Sequence, residues 1–157
     1  MALSDHNIEI LLSALKERYD SIHVIRKRTQ DVCVAALGIL FGFSGWLIQS
    51  GIVLSQVQKI IYIVGVLISF TVLRFLYLAD LQRGFRSQQR VAARIEKALG
   101  LFSAGAFDDT KEAIYPESWQ RAGTKAGSGK FYISTYALLY LGTALLIVTI
   151  LLKGCIL

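Results

Sequence analysis

Two uninterrupted apolar stretches dominate the hydropathy pattern. Residues 32–54 and 131–152 run for 23 and 22 positions without a formal charge. A helix needs about 20 predominantly apolar residues to cross the hydrocarbon core of a bilayer, so each stretch predicts a transmembrane helix. Between them, residues 60–73 are apolar but number only 14. Extended to 57–78, the segment is long enough to span. Arg74 then lies near its end, where a long side chain reaches the headgroups, and Lys59 is the charge of the short outer loop, roughly residues 50–59. The pattern predicts an all-α membrane protein with three spans, near 32–54, 57–78 and 131–152.

The flanking segments are amphipathic. Ser4 is a candidate N-cap, with Asp5 in the first turn of the helix it would start. Ile8, Leu11, Leu12, Leu15, Tyr19, Ile22 and Ile25 follow at helical spacing. Positions 8, 15 and 22 with 11, 18 and 25 make a heptad frame interrupted by Arg18. No proline separates this segment from the first span. A long amphipathic helix is expected, packed on another helix of the same chain or of a neighbouring subunit, or lying flat on the membrane. After the second span, Leu81, Phe85, Val91, Ala92, Ile95, Leu99 and Phe102 define an apolar helical face. Arg83, Arg86, Arg90, Arg94 and Lys97 fall within about 80° of one another, nearly opposite that face. Asp80 and Glu96 are the acids of this stretch, so the stripe is not neutralised locally. It is either a solvated face or a surface for a phosphate-rich ligand, which arginine grips in bidentate fashion. From Ser103 onward Gly105, Asp108, Asp109 and Pro116 mark turns, and 117–121 fits a short helix anchored by Trp119. The organisation expected is an N-terminal amphipathic helix (1–31), a transmembrane hairpin (32–80), a basic helix and loop (81–130), and a third span with a short tail (131–157).

Charge placement sets the expected orientation. Of 17 basic residues, 15 fall in the segments before the first span and from Arg74 to Lys130, leaving Lys59 and Lys153. Positively charged loops stay inside, so the N-terminus is expected in the cytoplasm and the chain in the inner (plasma) membrane. The net charge of +6 then belongs to the cytoplasmic side, where it also faces anionic lipid. Trp46 and Tyr62 would lie near the outer interface; Phe75, Tyr77, Phe131 and Tyr132 would lie near the inner one. The first 31 residues are charged throughout, which does not resemble a signal peptide. Cys155 is third from the end, one place off the prenylation position.

Catalytic chemistry is not expected. His6 and His23 stand alone, and Asp108-Asp109 has no recognisable partner. Cys33 and Cys155 would lie near opposite membrane faces and cannot pair. No metal-ligand spacing or cofactor motif is present. Residues 127–130, Gly-Ser-Gly-Lys, look like a phosphate loop only in part. A Walker A loop needs glycine where Thr124 stands and Ser or Thr where Phe131 stands.

Within the first span Ala35, Gly38, Gly42, Gly45 and Gln49 share one face, and Gly38 to Gly42 is a GxxxG spacing. Small residues let helices approach closely in lipid. The stripe is expected to be a helix–helix contact or a pore wall with Gln49 as its polar member. Gly65 and Ser69 give the second span a weaker small face, and Tyr132, Tyr136 and Tyr140 form a ladder on the third. Three spans without an inverted repeat or broken-helix pair are too few for alternating access.

A helix carrying Glu17-Arg18-Tyr19 and Arg26-Lys27-Arg28, a tight pair of spans, and an Arg-rich amphipathic helix over 81–102 resemble the SLATT-type small transmembrane effectors of bacterial anti-phage defence. Hailong-type channels, which pair with a nucleotide polymerase, are a similar case. The third span departs from the two-span pattern. The resemblance implies a homo-oligomeric pore gated by a nucleotide or oligonucleotide that a partner enzyme makes, with membrane depolarisation as the output. Arg83, Arg86, Arg90, Arg94 and Lys97 would sense the ligand. A non-conducting adaptor that recruits a cytoplasmic partner is the other reading.

Overall fold

The computed structural model describes residues 4–105, 112–124 and 131–153. Asp108, Asp109, residues 127–130 and Cys155 lie outside the described residues.

Helix α1 runs without interruption over Asp5–Gln49, 45 residues. That is about 67 Å at 1.5 Å per residue, more than twice the hydrocarbon thickness of a bilayer. Ser4 starts it as expected. Its carbonyl accepts from the Ile8 N–H at 3.1 Å, and its hydroxyl oxygen accepts from the Asn7 N–H at 3.4 Å. With no proline or helix-breaking cluster on the way, the charged first half continues directly into the apolar second half. The helix stops at Gln49, short of the end of the apolar run at Leu54. Ser50 closes the last turn, its N–H on Trp46 O at 2.9 Å and its hydroxyl on Leu47 O at 3.0 Å, and Gly51 follows. Leu54 stays apolar because it folds back into the core, 8% exposed.

Ser55 then caps α2, Gln56–Val72, through a capping box with Gln58. A six-residue π-helical stretch, Leu73–Leu78, follows, and α3 continues over Ala79–Ala98. These three form one helical rod, Gln56–Ala98, of 43 residues. Gly100, with φ 80°, ends it. Leu101 N–H reaches Glu96 O and Gly100 N–H reaches Lys97 O, both at 3.1 Å, which is the Schellman arrangement that a left-handed glycine permits. A 3₁₀ turn spans Glu117–Arg121, and α4 spans Phe131–Leu152. Three helices are long and apolar enough to cross a membrane: α1, the α2–α3 rod and α4.

The chain divides into two compact units. The charged unit holds the described residues of 4–27, 81–105 and 112–124. Its inward positions on α1 follow the heptad frame: Leu15 is buried and Ile8, Leu11, Ile22 and Ile25 are half-buried. Arg18 does not break the frame. Its guanidinium donates to the Gln88 side-chain oxygen at 3.0 Å and pairs with Glu17 at 2.9 Å. Gly84 makes room for Ile25, whose Cδ1 would lie 3.7 Å from a Cβ there. On α3 the buried positions are Ala92, Ala93 and Glu96. Val91, assigned to the apolar face by helical spacing, is 38% exposed. The packed face is therefore rotated toward Ala93 and includes a carboxylate.

The apolar unit holds 28–80 and 131–153. Leu47, Leu54, Leu146 and Ile150 form its core, with Leu40, Phe43, Ile63 and Val66 packed against them. Gly142 is the close approach: a Cβ there would come within 2.9 Å of Leu37 Cδ2 and 3.2 Å of Leu40 Cδ1. In lipid such van der Waals contact, rather than hydrophobic burial, holds helices together. The buried Thr135, Thr143 and Thr149 donate their hydroxyls to the carbonyls four residues back, at 2.8–2.9 Å. This satisfies a polar group without water.

Candidate functional site

In the charged unit, the basic stripe divides into two parts. Arg83, Arg94 and Lys97 are exposed on α3 and Arg86 is half-buried. Among the described residues none of these four forms an ion pair. Arg90 has a structural role. Its Nε donates to the Gly123 carbonyl at 2.9 Å. Gly123 has φ 76°, and a Cβ on it would fall 2.4 Å from Arg86 O. The loop after the 3₁₀ turn is therefore laid against the α3 backbone at residues 86–90, where only glycine fits. A wheel diagram cannot separate Arg90 from its neighbours, because the tie depends on a residue 33 positions away.

Beside this tie is a cavity of about 330 Å³ lined by Tyr19, Gln89, Glu96, Ser118 and Trp119 with apolar neighbours. Glu96 is 5% exposed, and the Tyr19 hydroxyl donates to its carboxylate. Burial pushes the Tyr19 phenol well above its usual range, and the hydrogen bond and charge of Glu96 push it the same way. Phe102, Tyr115 and Trp119 stack in sequence near this wall, with centroids 5.9 and 5.2 Å apart. In the sequence Glu96 counted only with Asp80, as the acids of a stretch whose basic stripe they leave unneutralised. Its signal was its place about 120° around α3 from the arginines.

In the apolar unit, Gly38, Gly42 and Gly45 each have nothing within 4 Å of where a Cβ would stand. Ala35, Gly38, Gly42 and Gln49 are exposed and Gly45 is half-buried. The stripe therefore meets no other helix of its own chain. The intrachain helix contact lies instead at Gly142, which the spacing did not single out. Gly65 and Ser69 line an apolar groove of about 490 Å³ formed with α1 residues 36–43 and α4 residues 139–146, rather than a helix seam.

Three cations sit in or beside the spans. Lys59, 7% exposed, donates to Leu151 O at 3.0 Å. Lys153 donates to the carbonyls of Leu47, Ile48 and Ser50. Each lysine neutralises the carbonyl-rich C-terminal end of a neighbouring helix, α4 and α1 respectively. Arg74 differs. Its guanidinium carbon lies 3.5 Å from the centre of the Tyr136 ring, and its buried Nε has no hydrogen-bond partner. Phe70 packs on Tyr140 one turn away, centroids 4.8 Å apart, so the tyrosine ladder serves as the α4 side of this seam. No cluster of metal-ligating side chains occurs among the described residues. Comparison of the chain with known protein families, with characterised proteins and with solved structures gives no match.

Proposed function

We propose that the chain is the subunit of a homo-oligomeric membrane pore, gated by a nucleotide or oligonucleotide on the cytoplasmic side. Opening would depolarise the inner membrane in defence against phage, as the resemblance to SLATT-type effectors implies. The observation that carries this reading is the open small-residue face of α1. Ala35, Gly38 and Gly42 are exposed, Gly45 is half-buried, and a Cβ at any of the three glycines would meet nothing within 4 Å. Such a face is what neighbouring copies need for close approach in lipid, and Gln49 at its end gives it a polar member. In a closed ring of more than two subunits this face would meet a second, different face of the next copy. Arg83, Arg94 and Lys97, exposed and without acidic partners among the described residues, supply the phosphate-reading surface. Differential contact of a ligand with these cations in two conformations is what gating requires.

The test is conductance of the purified chain in liposomes with and without nucleotides and short oligonucleotides. Ligand-dependent flux supports the reading. Replacing Arg83, Arg94 and Lys97 together by Glu spares the Arg90 tie. It should abolish the ligand response while leaving assembly intact, and an unchanged response in that variant would sink the proposal.

A non-conducting adaptor is the second reading. It is favoured by Ile10, Leu12 and Val24, which are 51–53% exposed on the charged half of α1 and could seat a partner helix. Absence of flux from a folded oligomer under every ligand condition selects it.

A further inference from the structure

Arg74 is the cation of the apolar unit whose placement the fold does not explain. Lys59 and Lys153 end on backbone carbonyls, whereas Arg74 has no hydrogen-bond partner at Nε and no acidic partner among the described residues. A charged group at the end of an apolar span calls for an anion or water. Its environment is also unusual. It lies in the six-residue π-helical stretch, Leu73–Leu78, a conformation found disproportionately at functional sites. Tyr136 covers the face of the guanidinium at 3.5 Å. The Nε–H is buried, and the terminal N–H groups, which point along the plane, are left for a two-oxygen acceptor such as phosphate.

The groove between α1, α2 and α4 stops short of this residue, which lies about one helical turn beyond Phe70 of its lining. It is lined on α2 from Ile61 to Phe70 and then by Leu73, the residue before Arg74; on α4 it stops at Leu139, one turn from Tyr136. Its length along α2 is about 18 Å, close to the depth of one leaflet of a hydrocarbon core about 30 Å thick. Its volume of about 490 Å³ is in the range of true ligand sites, and its lining is apolar apart from Tyr62, Ser69 and Thr143. The groove of about 650 Å³ near Lys153 offers no such pairing, because Lys153 is already engaged.

We propose that this groove is a binding site for an anionic phospholipid, with one acyl chain between α1, α2 and α4 and the headgroup phosphate on the edge of Arg74. The apolar channel and the unpaired cation beyond its end match the two halves of such a molecule, and a soluble anion would use only one. This site is independent of whether the chain conducts.

The test uses the full chain in bilayers of phosphatidylcholine containing a spin-labelled phospholipid, either phosphatidylglycerol or phosphatidylcholine. The expected result is an immobilised component with a preference for the anionic headgroup. Arg74→Gln should lower that preference by about tenfold, the scale of one charge-assisted hydrogen bond. A Cβ at Gly65 would meet nothing within 4 Å, so Gly65→Leu extends into the groove that Gly65 lines. It should remove the immobilised component for both lipids while the helical circular dichroism stays unchanged. Millimolar inorganic phosphate should displace nothing. The proposal is overturned if folded Arg74→Gln keeps the preference, if Gly65→Leu keeps the immobilised lipid, or if phosphate competes the lipid away. Should Arg74→Gln yield no folded protein, Gly65→Leu decides alone.

Discussion

Arg90 and Gly123 show how a single tie changes the meaning of a charged stripe. Five cations at helical spacing were legible from the sequence. That one of them anchors a loop was not, because the positive φ of Gly123 and its contact with the α3 backbone leave no local trace in an Ala-Gly-Thr stretch. A Cβ at Gly123 meets Arg86 O at 2.4 Å in a conformation that already disfavours any side chain. Gly123→Ala is therefore expected to cost more than the roughly 1 kcal/mol of backbone strain alone. Denaturant unfolding should show this, together with faster proteolysis of residues 112–124. The Tyr19–Glu96 bond gives a second prediction. Tyr19→Phe leaves a buried carboxylate without its donor and should destabilise the charged unit by about 1–3 kcal/mol at neutral pH. The fold favours the neutral phenol, whereas an unfolded tyrosine ionises near pH 10. The wild-type advantage is thus complete below about pH 10 and declines as pH rises past it. Unfolding of both proteins from pH 8 upward should show the gap narrowing only at the alkaline end. A gap that widens there would contradict the assignment.

At the scale of elements, the periodic segments were the most legible. The heptad frame of α1, the cap at Ser4, the 3₁₀ turn at Glu117–Arg121 and the extent of α4 all follow from spacing and turn chemistry. Arg18 stood as an interruption because its partner Gln88 lies 70 residues on. The end of α1 at Gln49 was overrun because the apolar run continues to Leu54, which is buried in the core beyond the helix end. The two lysines apart from the basic cluster were read only as exceptions to a charge rule. They are instead helix-end partners, which no pattern in either helix announces. Lys153→Met keeps the aliphatic stem and removes the ammonium from the last carbonyls of α1. It should lower stability by about 1–3 kcal/mol, read as thermal unfolding in detergent. Lys153→Arg should recover part of it.

For the whole molecule, three apolar helices were legible from composition and run length, and the structure has them. Which face of α1 meets its own chain was not, because both candidate faces carry small or apolar residues. GxxxG spacing states that a close contact is possible without naming the partner. The structure separates the two possibilities by placing the intrachain contact at Gly142 and leaving Gly38 and Gly42 open. This difference gives opposite expectations for the same kind of substitution. Gly142→Leu pushes into Leu37 and Leu40, overpacking that typically costs 1–3 kcal/mol, and should weaken the fold of each subunit. At Gly38 and Gly42 a Cβ would meet nothing within 4 Å, so Gly38→Leu with Gly42→Leu should leave the subunit's unfolding temperature unchanged. If copies associate through this face, the double variant should lower the oligomer's mass in detergent by size exclusion with light scattering, and abolish any flux. A double variant that assembles and conducts like the wild type would remove the α1 face from the interface, and with it the observation on which the pore reading rests. A double variant that stays folded but runs as a monomer would assign the open face of α1 to a second copy of the chain, since no contact within the subunit was there to be lost.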